Sequence, residues 1–139
     1  MEESIRHLLE ECQNLKNDID RQKAEYEEKV YENRGDTADY KKVLFEDTKD
    51  ALINVNAILI PLEINIRRVE LRLKRLKLEL KESPEYQSFK TIKAKDEKVV
   101  LDTYDIAELI LDLKLERNKL RSVSEYLNFT LKLLVKEED

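Results

Sequence analysis

A single glycine, Gly35, serves the whole 139-residue chain. Phosphate-cradling loops and dinucleotide folds need several glycines where backbone must approach a ligand closely. The tight hairpins of a β-sandwich or barrel draw repeatedly on glycine-containing turns. A chain with one glycine and two prolines has little left but helix. Leu, Ile, Val and Phe account for 43 residues, too many for a disordered chain, and helix-forming Leu, Glu, Lys, Arg, Ala and Gln dominate the rest. The fold class is therefore all-α, within one domain spanning residues 1–139.

Apolar spacing divides the chain into three long helices. The first runs over about residues 2–33, with Ile5, Leu8, Cys12, Leu15, Ile19, Gln22 and Tyr26 alternating by three and four. Gly35 suits a left-handed helix end, and Asp36 or Thr37 can cap the next helix. The second helix covers about residues 37–82, kinked at Pro61. Its seam of Phe45, Thr48, Leu52, Val55, Leu59, Leu62, Ile66, Val69, Leu73, Leu76 and Leu80 keeps the heptad alternation for five repeats. With Leu52 at heptad position a, the opposite position f holds Ala57, Ile64, Leu71 and Leu78. Position f ordinarily faces water, so this helix is apolar on two opposite faces. One face can pack within the chain, and the other needs a third helix or a neighbouring subunit, with Ala57, Ile64, Leu71 and Leu78 as the expected oligomer interface.

Ser83-Pro84 opens a connection over residues 83–94, irregular or shortly helical, and a third helix covers about residues 95–136. Ile106, Ile110, Leu113, Leu120, Leu127, Leu131 and Leu134 carry its seam, interrupted by Arg117 and Ser124. Leu109, Leu111, Leu115, Val123 and Phe129 widen its apolar surface. At 1.5 Å per residue the last two helices each reach roughly 60 Å, longer than a compact domain of this size needs. The expectation is an elongated helical bundle or coiled coil that forms a homo-oligomer.

Charge is sorted along the chain. The net charge is −5, which argues against general attraction to nucleic acid. Yet residues 1–66 carry −7, residues 67–95 carry +6 and residues 96–139 carry −4. Within the basic centre, heptad positions b and c hold Arg67, Arg68, Lys74, Arg75 and Lys81, while the e and g flank mixes Glu63, Glu70, Arg72, Lys77 and Glu79. Tyr86, Phe89, Lys90, Lys93 and Lys95 come directly after them. Cations that neutralise phosphates, beside aromatic faces on which bases stack, are what single-stranded nucleic acid requires. The competing reading is a solvated basic flank paired with acidic neighbours, and aromatic side chains that seal a helix end.

Other chemistry is poorly provided for. His7 is the only histidine and Cys12 the only cysteine, so zinc frameworks and internal disulfides are excluded, and a reducing compartment is expected. No nucleophile or paired carboxylate stands in a catalytic pattern, so neither enzymatic activity, a small-molecule substrate, a cofactor nor a metal is expected. The charged amino-terminal stretch does not read as a signal peptide, and the most apolar stretch, residues 51–62, is too short to span a bilayer. The expectation is a soluble cytoplasmic protein without membrane contact. Arg34-Gly35-Asp36 and Asn128-Phe129-Thr130 spell an adhesion tripeptide and a glycosylation sequon, both taken as coincidental in such a chain.

Leu73-Lys74-Arg75-Leu76, then Phe89-Lys90-Thr91-Ile92, then Lys95-Asp96-Glu97-Lys98-Val99 precede a Leu-rich helix through Leu134. In that order these segments resemble bacteriophage recombination mediators of the UvsY type, over roughly residues 67–134. The resemblance implies a ring-like homo-oligomer that binds single-stranded DNA through Lys74 and Arg75 and helps load a strand-exchange recombinase. The alternative is a coiled-coil scaffold or adaptor that acts through protein contacts alone.

Overall fold

The computed structural model describes the backbone of residues 3–32 and 37–136, and the side chains of 7–32 and 37–135 within them. Four helices succeed one another: α1 (Glu3–Glu32), α2 (Ala38–Glu82), α3 (Pro84–Ser88) and α4 (Ile92–Lys136). No strand occurs among the described residues. Gly35 and Asp36 lie outside them, while the Thr37 carbonyl accepts the first backbone bond of α2 from Lys41 N–H at 3.0 Å. The connection expected at 83–94 holds a short helix, α3, and is shorter than its sequence suggested because α4 starts at Ile92 rather than near Lys95. Thr91 explains the early start: its Oγ1 accepts from Ala94 N–H at 3.1 Å, which satisfies a donor left open at the helix end. Helix α2 runs through Pro61 as one element. Proline leaves the carbonyl four residues earlier without its helical donor. That residue, Ala57, is exposed, so water can take the place of the missing bond.

The chain divides into two compact units, one of residues Pro61–Glu116 and the other of Glu2–Ile60 with Arg117–Asp139. The second is a three-helix unit built from α1, the first half of α2 and the second half of α4. Antiparallel pairing of α1 with α2 shows in Gln22, whose amide donates to Asp47 at 3.0 Å, and in Lys29, which lies 5.8 Å from the Tyr40 ring centroid. Helix α4 joins them with Lys16 and Lys23 over the Tyr126 ring at 4.7 and 5.5 Å. The core takes Cys12, Ile19 and Tyr26 from α1, Leu44, Thr48, Ala51 and Val55 from α2, and Leu120, Val123, Leu127, Thr130 and Leu134 from α4. Three facing helices widen the buried stripe of each. Leu44 and Ala51 are thus buried beside the expected Thr48 and Val55, while Phe45 and Leu52 are only half-buried. The buried threonines need no partner helix for their hydroxyls, since Thr48 Oγ1 donates to the Leu44 carbonyl at 2.6 Å and Thr130 Oγ1 to that of Tyr126 at 3.1 Å. Ser124, the expected interruption of the α4 seam, donates to Asn56 Oδ1 at 3.1 Å.

The first unit is a helical hairpin: the second half of α2, α3, and the first half of α4. Glu70 of α2 meets Lys114 of α4 at 3.7 Å, and Glu85, just beyond α2, meets Lys98 near the start of α4 at 3.1 Å, so the two long helices run antiparallel. Leu62 and Ile66 from α2, with Thr103, Ile110 and Leu113 from α4, are its buried residues. Val69, Leu73, Leu76 and Leu80 continue the α2 seam but stay half-buried, because two helices cover only one side of each other.

Candidate nucleic-acid interface

The basic centre lies almost wholly in the two-helix unit. Its a and d residues turn toward α4, so the helical period carries b, c and f outward. Arg67, Arg68, Lys74, Arg75 and Lys81 are all exposed. Among the described residues none of these five forms an ion pair. Glu70, within the span of the stripe on α2, pairs instead with Lys114. The stripe therefore keeps its charge available to a partner outside the chain, although single exposed pairs would have been worth little in any case.

Helix α3 carries the aromatic residues next to the stripe. Ser83 caps it, accepting from Tyr86 N–H at 3.2 Å while donating to the Leu80 carbonyl at 2.7 Å, and Pro84 supplies the first helical position without an unsatisfied donor. Phe89 ends it in extended backbone, its N–H bonded to the Tyr86 carbonyl at 3.3 Å. Lys98 Nζ ties α3 to α4 through Glu85 at 3.1 Å and Asp102 at 3.0 Å. Hydrogen bonds to Asp102 and Glu85 push the Lys98 ammonium above the usual lysine range. The pin sets Tyr86 against Lys95, whose ammonium lies 5.4 Å from the ring centroid. Tyr86, Phe89 and Lys95 are half-buried, while Lys90 and Lys93 are exposed. One face of Tyr86 is thus engaged within the chain, and Lys95 joins the aromatic pair rather than the open track.

The positions expected to form an oligomer interface are also outward. Ile64, Leu71 and Leu78 are 45%, 56% and 61% exposed, and Ala57, in the three-helix unit, is exposed as well. Leu71 and Leu78 thus sit between the cations of positions b and c. A second apolar line runs along α4, where the sequence suggested only one broad apolar surface. Val123 of that surface is buried in the three-helix core, whereas Leu111 and Leu115 are 63% and 59% exposed in the hairpin, joined by Leu101 and Tyr104. The signal was present in the alternation 101, 104, 108, 111, 115, broken only by Glu108.

Elsewhere, His7 is exposed and meets Glu11 at 3.0 Å, while Cys12 is buried, its thiol pushed up by burial and by the Glu11 charge. The two do not share a face. Among the described residues no group of three or more His, Cys, Asp or Glu could hold a metal ion, and no helix is long and apolar enough to cross a membrane. No family model, curated protein or solved structure matches the chain.

Proposed function

We propose that this chain is a non-catalytic, oligomeric protein that binds single-stranded DNA along α2 and acts in recombination as a mediator or accessory factor. The observation that carries the DNA contact is the row Arg67, Arg68, Lys74, Arg75 and Lys81: exposed and without ion pairs among the described residues. Cations at successive heptads sit about 10 Å apart along the axis, so an extended phosphate chain can meet each in turn. Lys90 and Lys93 extend the charge past α3. The recombination role rests on the resemblance of residues 67–134 to mediators of the UvsY type.

Fluorescence anisotropy with labelled single-stranded DNA at two salt concentrations tests this reading. Each phosphate neutralised contributes roughly −0.7 to the slope of log affinity against log salt, so five contacts give about −3.5. Reversal of the five cations to Glu should abolish binding while leaving the helical signal intact, because all five side chains are exposed. No binding by the native chain at low salt would overturn the DNA contact. The exposed lines on α2 and α4 favour a second reading, a scaffold that works through protein contacts alone; there the same reversal would disturb assembly, with no DNA affinity to lose.

A further inference from the structure

The hairpin carries two outward apolar lines, and their charges are opposite. On α2 the line is Ile64, Leu71 and Leu78, edged by cations that form no ion pair among the described residues: Arg67, Lys74 and Lys81 on one side, Arg68 and Arg75 on the other. On α4 the line is Leu101, Tyr104, Leu111 and Leu115. Glu97 and Glu108 lie within that line and Asp105 and Asp112 along one edge, all exposed and, among the described residues, none in an ion pair. Two cations of α4 in this stretch are committed within the chain, Lys98 to Glu85 and Asp102, and Lys114 to Glu70. The α4 line has the three-and-four spacing of a coiled-coil seam, the α2 line sets one apolar residue per heptad between its cations, and each lacks a partner helix.

We propose that α2 of one copy receives α4 of a second copy, the basic-edged line docking on the acid-edged one. The alternatives are self-contacts. Packing α2 on α2 would oppose Arg67, Arg68, Lys74 and Arg75 to their own counterparts, and α4 on α4 would do the same with Asp105, Glu108 and Asp112. Like charges flanking a seam select against such pairings, and opposite charges select for the mixed one. The interface is therefore heterologous: every copy offers two different surfaces, and the contact repeats around a closed ring or along an open chain. Because acids line only one edge of the α4 seam, they meet one edge of cations on α2. The other edge, two or three cations in each copy, stays in water, where a polyanion can lie. An assembled chain should therefore show a salt slope of about −1.4 to −2.1 in place of the roughly −3.5 of five open cations. This assignment rests on the oligomeric part of the proposed function and not on the DNA contact.

Two variants, each blocked on one surface, test it in the absence of DNA. Leu71→Asp with Leu78→Asp spoils α2, and Leu111→Asp with Leu115→Asp spoils α4. All four leucines are more than half exposed, so each variant should keep the native circular dichroism; Leu71→Ser and Leu111→Ser serve the same purpose should an Asp pair unfold. By light scattering the native chain should exceed the 16.6 kDa of one copy. Each variant alone should be monomeric. Mixed one to one, they should form a dimer and stop there, since one good contact remains and the other opposes Asp to Asp. Assembly by either variant alone, or a mixture that stays monomeric, overturns the proposal while leaving oligomerisation itself standing if the native chain assembles. A monomeric native chain overturns both. Failure to bind DNA by a chain that passes the mixing test overturns only the DNA contact.

Discussion

The three-helix unit and the hairpin use the same two helices and bury them differently. In the first, Val55 and Leu127 are wholly covered, and even Thr48 and Thr130 are excluded from water. In the second, α2 keeps its seam for three more heptads yet fully buries only Leu62 and Ile66. What changes is the presence of α1, which has 30 residues against 45 in each of its neighbours. A pair of helices hides one stripe on each; a third helix closes the gap between them. The region with the smaller core also holds the basic stripe and the two apolar lines of α2 and α4, Ile64, Leu71 and Leu78 and Leu101, Tyr104, Leu111 and Leu115.

Core truncation should separate the two units most. Leu127→Ala opens a cavity walled by three helices and should cost about 4 kcal/mol, whereas Ile66→Ala, in a hairpin that can collapse around the gap, should cost about 2 kcal/mol. Urea denaturation measures both, and equal costs would break the distinction.

The alkaline limb of stability should come next. Burial first, and then a hydrogen bond to the Asp20 carboxylate, push the Tyr126 phenol up to about 12 from its ordinary 10. The same bond, with one from Lys16, holds Asp20 below the usual carboxylate range although burial alone would raise it. A folded-state value above the unfolded one means the stabilisation is complete below pH 10 and is lost as pH rises toward 12. Tyr126→Phe should flatten that decline; unfolding curves between about pH 9 and 12 that overlay the native ones would exclude Tyr126 as its source.

Leu71→Ala should have the smallest effect, within about 0.5 kcal/mol for the isolated chain, because its side chain is exposed. A larger loss in dilute monomer, read by urea denaturation, would mean that the outer line of α2 already supports the hairpin.

Much of this arrangement was legible in the sequence. The alternation of Cys12, Ile19 and Tyr26 and the long seam of α2 marked the helices and most of their buried faces, since a strict apolar period admits one orientation. The f positions of α2 are apolar in the sequence and exposed within the chain. Less legible were Leu44, Ala51 and Thr103, all buried, because a stripe read on one helix cannot reveal how many neighbours widen it. Glu70 and Arg68 are close in sequence and equally charged in magnitude, yet only the packing shows that one is turned to Lys114 and the other remains open.

One glycine and the heptad spacing, unbroken along α2, determined that this chain is helical and, to within a few residues, where its long helices run. Backbone freedom and apolar period are local properties, written residue by residue. Which halves of α2 and α4 acquire a third helix was decided only in three dimensions, as was the pinning of α3 by Lys98 and the isolation of the basic stripe from its acidic neighbours. Those outcomes depend on contacts between residues far apart in the chain, and a periodic sequence permits many such pairings before packing selects one.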